Sequence, residues 1–122
     1  MTKKILITDD QRELVEAMKA RFEKEGYEID AAYDGEECLL KIKANLPDLI
    51  ILDVTMPKLD GFSVVRGIKS DEETKHIPIF ILTGKDQMED LFRMEGVKEF
   101  IVKPFDYENL LGKVKKLFEA SE

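Results

Sequence analysis

The sequence has few of the residues that bind soft metals or form disulfides: it contains one cysteine, Cys38, and one histidine, His76. A lone cysteine excludes an intramolecular disulfide, and this pair cannot make up a cysteine–histidine zinc site. We therefore expect a reducing, cytoplasmic setting for the chain. Cys38 is expected to be a small buried apolar residue and His76 a surface residue.

Long apolar runs and an excess of positive charge are also missing. No stretch approaches the roughly 20 apolar residues that a membrane-spanning helix needs, and the run near the N-terminus is too short for a signal sequence. The chain has 19 basic and 26 acidic residues, for a formal net charge of −7. Since nucleic-acid phosphates need basic partners, we expect neither membrane insertion nor direct nucleic-acid binding.

Short apolar runs alternate with segments of helical spacing, such as the one that carries Leu14, Met18 and Phe22. The runs predict strands at 3–8, 27–33, 48–53, 77–83 and 99–103. Segment 85–94 has the weakest helical pattern, and Leu39 and Ile42 mark the second helix. This alternation, in 122 residues, predicts a single α/β domain with a parallel sheet and helices on both faces.

Polar residues stand at the C-terminal ends of these strands: Asp9 and Asp10 after the first, Asp53 on the third, Thr83 on the fourth and Lys103 on the fifth. In a parallel sheet these ends share one rim, where ligands bind. Three carboxylates there repel one another unless a cation lies among them. An all-oxygen set of ligands favours Mg²⁺, while a lysine ammonium and a threonine hydroxyl suit a phosphoryl group.

Asp53 is the candidate nucleophile by position, because it stands alone at the end of a strand that is apolar on both faces. Aspartate can attack phosphorus to form an aspartyl phosphate. Asp9 and Asp10 lie side by side where a strand leads into a helix. Asp10 taken alone also fits a helix cap, since Asp10 to Glu13 reads like a capping box, but its two acidic neighbours favour a metal site.

Four motifs close four of the strands in order: "TDD", "DVTMPKLDG", "LTG" and "VKPF". With these motifs, nearly the whole chain resembles the receiver domains of two-component response regulators, which include the single-domain chemotaxis type. The resemblance implies a doubly wound (βα)5 flavodoxin-like three-layer fold with strand order 2-1-3-4-5. It also implies that residues 1–122 are one receiver domain, with no output domain in this chain.

The resemblance further implies a role for each matching residue. Asp53 is the phosphoacceptor, and Thr83 and Lys103 bind the phosphoryl oxygens. Asp9, Asp10, Asp53 and the backbone carbonyl of Thr55 are the implied ligands of Mg²⁺, with Mn²⁺ as an alternative ion. Thr83 and Phe100 are the implied switch residues. The peptide bond between Lys103 and Pro104 is expected to be cis.

In this family the phosphoryl donor is a sensor histidine kinase or a phosphotransfer protein. The resemblance implies a signalling receiver that catalyses only its own phosphorylation and dephosphorylation. Its helix 4–strand 5–helix 5 surface would bind a downstream protein. The unphosphorylated chain would be a monomer, and the sequence leaves open whether phosphorylation makes it a dimer. Two features depart from the family: the segment between Thr83 and Lys103 is short, and Gly84 stands where alanine is commoner.

Three rival classes of protein share parts of this pattern. A phosphatase of the haloacid dehalogenase type has a second aspartate two residues after its nucleophile, where this chain has Thr55. A flavodoxin-like cofactor protein needs a phosphate-binding loop after the first strand, where Asp9 and Asp10 would repel an anion. A receiver used only for docking normally lacks some of the site residues, but intact residues do not exclude this class.

Overall fold

The computed structural model describes residues 2–54, 61–84 and 89–120 of the chain. Strands and helices alternate along it. The strands are β1 (Lys4–Thr8), β2 (Glu28–Ala32), β3 (Leu49–Asp53), β4 (Ile79–Thr83) and β5 (Glu99–Val102). The helices are α1 (Arg12–Lys24), α2 (Gly35–Ala44), α3 (Gly61–Ser70), α4 (Glu89–Met94) and α5 (Tyr107–Ala120). All strand pairs are parallel, in the order β2-β1-β3-β4-β5, which confirms the predicted fold.

Burial along the sheet follows the position of each strand. Every residue of β3 and β4 is buried, because strands in the middle of a parallel sheet are covered by helices on both faces. The edge strand β2 alternates between exposed and buried residues over its first half. The burial pattern of each of these strands therefore indicates whether it lies in the middle or at the edge of the sheet.

Two apolar clusters fill the two faces of the sheet. One packs α2, α3 and α4 against the sheet, and the other packs α1 and α5 against the opposite face. Cys38 lies in the first cluster, as predicted, and burial raises the pKa of its thiol to about 11. Leu39 and Ile42, which mark α2 in the sequence, differ in burial: Ile42 is buried with Cys38, whereas Leu39 is 38% exposed.

Local signals explain several helix ends. Asp34 caps α2, because its side chain accepts a hydrogen bond from the backbone N–H of Glu37 at 2.8 Å. Gly26 follows α1 and Gly96 follows α4, both with positive φ, a conformation that glycine adopts without strain. In the weakly patterned segment 85–94, α4 occupies the last six residues, and 85–88 lie outside the described residues.

None of the helices in the described ranges combines the length and the apolar character that crossing a bilayer requires.

Candidate functional site

The hydrogen-bond ladders of the sheet continue one residue past three strand ends and bring distant residues to one rim. The backbone N–H of Asp9 donates to Ala32 at 3.1 Å, and that of Lys103 donates to Thr83 at 2.7 Å. The N–H of Val54, which follows Asp53, donates to Leu82 at 2.9 Å. These bonds fix the backbones on which the predicted site residues stand.

Asp9, Asp10 and Asp53 meet at this rim, with one carboxylate oxygen from each within 4.8 Å of the others. Asp9 and Asp53 are buried, whereas Asp10 is exposed. Two of the three carboxylates are thus held inside the protein, and the third faces solvent. The sequence predicted the cluster, but not which of the adjacent aspartates lies inside.

Lys103 provides the positive charge beside these carboxylates. Its Nζ lies 2.6 Å from Oδ2 of Asp53 and 3.3 Å from Oδ2 of Asp9. Burial lowers the pKa of the Lys103 ammonium, but the hydrogen bonds and charges of the two carboxylates more than offset this, and the net shift is upward. Lys103 therefore stays charged at neutral pH and binds directly to the candidate nucleophile.

Asp9 connects this centre to the start of α1. Its Oδ1 accepts a hydrogen bond from the backbone N–H of Gln11 at 2.9 Å, and Gln11 is the N-terminal flanking residue of the helix. Burial raises the pKa of the Asp9 carboxyl from 3.8 to about 6, and the nearby charge of Asp53 adds to the rise. The N-cap of α1 is Gln11, and no side-chain hydrogen bond caps this helix, so the capping box that the sequence allowed for Asp10 is not formed.

The donor set fits a hard divalent cation. It consists of carboxylate oxygens close enough to share one ion, and two of the carboxylates are buried beside the ammonium group of Lys103. Burying carboxylates is unfavourable without a compensating cation, and Mg²⁺ prefers such oxygen ligands. Thr55, the fourth predicted ligand, lies outside the described residues.

Thr83 ends β4, is buried and accepts the backbone hydrogen bond from Lys103. The bond between Lys103 and Pro104 is cis, the isomer that the resemblance implies. Phe100 is only 8% exposed and packs on Phe92. It is therefore already turned inward, which suits a side chain without a hydroxyl group to keep at the surface.

An apolar groove of about 570 Å³ lies beside Lys103, between α1 and the segment that leads into α5. The sequence patterns did not predict this groove. The feature of the sequence that could have indicated the groove is the group of apolar and aromatic residues directly after Lys103, between β5 and α5. Its walls include Leu14, Met18, Pro104, Phe105 and Tyr107.

Comparison with known proteins gives consistent matches. The family model described as "Response regulator receiver domain" matches residues 5–115. The chain is 38% identical, over its full length, to the alkaline phosphatase synthesis transcriptional regulatory protein PhoP of Bacillus subtilis (strain 168), of which it covers 51%. Over 96% of its length it is 38% identical to response regulator PleD of Caulobacter vibrioides, of which it covers 26%. The chain therefore spans about half, or less, of these curated relatives.

Solved structures match over nearly the whole of both chains. The chemotaxis response regulator CheY4 of Vibrio cholerae has a TM-score of 0.86 and 31% identity, with coverage of 95% of this chain and 98% of that one. Response regulator TrrA of Thermotoga maritima, solved with Mg²⁺ and BeF, has a TM-score of 0.84 and 38% identity, with coverage of 95% and 99%.

Proposed function

Because the chain belongs to the response regulator receiver domain family, we propose that it is a signalling switch in which Asp53 accepts a phosphoryl group. One observation carries this proposal. The buried Asp53 carboxylate is bound by Lys103 at 2.6 Å and shares a cluster with Asp9 and Asp10. A carboxylate held between a fixed ammonium and a candidate cation site is prepared to attack an anionic donor.

The proposed reaction is a transfer from a sensor histidine kinase, a phosphotransfer protein or a small acyl phosphate. A carboxylate oxygen of Asp53 forms a bond to phosphorus as the bond from phosphorus to the donor's nitrogen or oxygen breaks. The bonding electron pair leaves with the donor group, which takes up a proton from solvent where its basicity requires one. The product is an aspartyl phosphate, and water later hydrolyses it.

The residues around Asp53 have separate tasks in this scheme. Asp9 and Asp10, with Thr55 as a further proposed ligand, would hold a Mg²⁺ ion beside Asp53. When bound, this ion neutralises charge on the transferring phosphoryl group. Lys103 would contact the phosphoryl oxygens from the other side, and the Thr83 hydroxyl would donate a hydrogen bond to them. The chain thus promotes only its own phosphorylation and dephosphorylation.

The donor protein has to approach Asp53 past Lys103, and the apolar groove borders that approach. We assign the groove to contact with the donor protein, because it is continuous with the reacting centre and open to solvent. An acyl phosphate is too small to use it. Protein and small-molecule donors should therefore differ in their sensitivity to changes in the groove.

The output surface in this proposal is α4, β5 and α5. Leu91 and Met94 on α4 and Val102 on β5 are exposed apolar residues of that surface. A new phosphoryl group adds nearly two negative charges, and a response of α4 and β5 would change what this surface binds. We propose a downstream protein as its partner and residues 1–122 as one receiver unit, monomeric before phosphorylation and located in the cytoplasm.

Intact mass spectrometry after incubation with acetyl phosphate and Mg²⁺ tests the proposal. The wild-type chain should gain the mass of one phosphoryl group, and chelation of Mg²⁺ with EDTA should prevent the gain. Asp53→Asn should show no gain, because the amide is not a nucleophile. Asp90→Asn, an exposed aspartate on α4, is the matched control and should behave as wild type.

A gain that persists in Asp53→Asn would place the acceptor elsewhere and contradict the proposal. No gain in the wild-type chain from acetyl phosphate or from any phosphorylated histidine kinase would instead favour the docking-only class of receiver.

A further inference from the structure

Residue Val54, directly after Asp53, is in unusually close contact with the start of α3. A Cβ atom added to Gly61 would lie 2.3 Å from Cγ1 of Val54 and 2.6 Å from its Cβ. Val54 is also bound through its N–H to Leu82 of β4. Since less than the space of one methyl group separates them, a displacement of Val54 toward α3 has to move the first turn of that helix.

The next residue of α3 begins a row of three aromatic rings. Phe62 is half-buried and contacts Phe92 of α4 edge-on, with ring centroids 5.7 Å apart. Phe92 is fully buried and contacts Phe100 of β5 at 6.0 Å. We call Phe62, Phe92 and Phe100 the aromatic row; it joins α3, α4 and β5 on one face of the sheet.

Phe92 is the only buried residue of α4 within the described residues, and the helix has six residues. Leu91 and Met94, on either side of it in sequence, are 46% and 81% exposed. Because Phe92 is the residue that buries the described part of this helix, the position of these residues depends on the contacts of its ring. Moving the ring of Phe92 therefore moves the exposed residues of α4.

From these contacts we infer that α3 carries the state of Asp53 to α4 through Val54, Gly61, Phe62 and Phe92, without a rotation of Phe100. Phe100 is already buried against Phe92 in this structure, so its contact with α4 does not depend on an inward turn of the ring. The inference rests on the proposed function, because it takes phosphorylation of Asp53 as the event that is transmitted.

Beryllium fluoride with Mg²⁺, a stable mimic of a phosphoryl group on a carboxylate, provides the test. Fluorine NMR measures whether the mimic is bound. In protein labelled with ¹³C-methyl methionine, the Met94 methyl signal reports the response of α4 separately from binding. Three Phe→Leu variants are compared with wild type: Phe62→Leu, Phe100→Leu and, as a control on the opposite face of the sheet, Phe118→Leu.

We expect wild type, Phe100→Leu and Phe118→Leu to bind the mimic and to shift the Met94 signal alike. Phe62→Leu should still bind it but show a Met94 shift that is smaller by about twofold or more. Phe62→Tyr keeps the ring and should restore the response. This rescue separates the ring contact from a general loss of stability.

A full Met94 shift in Phe62→Leu would overturn the inference. So would loss of the shift in Phe100→Leu with retention in Phe62→Leu, which would assign the signal to residue 100. A wild-type chain that binds the mimic without a Met94 shift would also overturn it, yet leave the proposed function standing. If no bound fluoride is detected in wild type, the proposed function itself fails, and the inference fails with it.

Discussion

At the scale of single residues, the contact between Gly61 and Val54 leaves no room for even one more carbon atom. The contact lies next to the candidate nucleophile and at the start of α3. Because Val54 is also held by Leu82, it cannot move aside without disturbing the end of β3. The absence of a side chain at residue 61 thus helps to set the position of Asp53.

Two glycines of α3 should therefore respond to alanine in opposite ways. Gly61→Ala should lower the free energy of unfolding by about 1–3 kcal/mol, because the new methyl group overlaps Val54. Gly67→Ala should raise it by about 0.5–1 kcal/mol, because an added Cβ there meets only Leu39 at 3.9 Å and alanine favours the helix. Urea denaturation of both variants measures the difference. Equal effects would show that the close contact does not limit substitution.

At this scale the sequence predicted the members of the candidate site but not their environments. Asp9 and Asp10 are chemically identical neighbours, and only the end of the β1–β2 ladder decides that Asp9 points inward. The ring of Phe100 packs on Phe92, which lies in the segment with the weakest helical pattern. Such details follow from tertiary packing, which a single sequence does not reveal.

At the scale of elements, α1 contributes to the site at both its start and its side. Its start holds Asp9 through the backbone of Gln11, and its side forms one wall of the apolar groove. One helix thus links the reacting centre to the surface that we assign to the donor protein. Changes along this helix should separate the two roles.

Two exposed alanines of α1 offer a matched test. Ala17 lines the groove, whereas Ala20 does not. We expect Ala17→Glu to slow phosphotransfer about tenfold or more from a phosphorylated histidine kinase that phosphorylates the wild-type chain, because the new charge has to be desolvated on docking. Ala20→Glu should leave that rate near wild type.

Acetyl phosphate should phosphorylate the wild-type chain and both of these variants equally, as measured by the rate of mass gain. If Ala17→Glu lost reactivity toward acetyl phosphate as well, the groove would be part of the reacting centre. If it kept full reactivity toward the kinase, the donor protein would dock elsewhere.

The elements themselves were largely predictable, because strong apolar runs became strands and periodic segments became helices. The differences lie at the ends. β4 begins at Ile79, two residues later than its apolar run, because Ile77 bonds to the preceding turn and Pro78 has no N–H to donate. For helices, the sequence did not predict which face is buried: Leu39 is apolar, yet it lies on an exposed part of α2.

At the scale of the whole molecule, the acidic cluster should couple Mg²⁺ binding to folding. The unfolded chain does not hold three carboxylates together, so Mg²⁺ should stabilise only the folded state. At about 100 times its Kd, the ion should raise the free energy of unfolding by about 2.7 kcal/mol. Thermal or urea unfolding with Mg²⁺ and with EDTA measures this gain.

The matched variants are Asp10→Asn, which removes an exposed member of the cluster, and Asp90→Asn, which removes an exposed carboxylate elsewhere. At the same Mg²⁺ concentration, most of the gain should disappear in the first and remain in the second. An equal gain in both would mean that the ion acts only by screening the net charge of the chain.

The ion pair between Lys103 and Asp9 joins residues 94 positions apart, and Asp53 lies between them in the sequence. Synthesis must therefore proceed past Lys103 before the carboxylate of Asp53 has this ammonium group beside it. A nascent chain that has not yet released β5 from the ribosome carries Asp53 without this partner. The proposed phosphoacceptor site is therefore complete only after β5 has left the ribosome and joined the sheet.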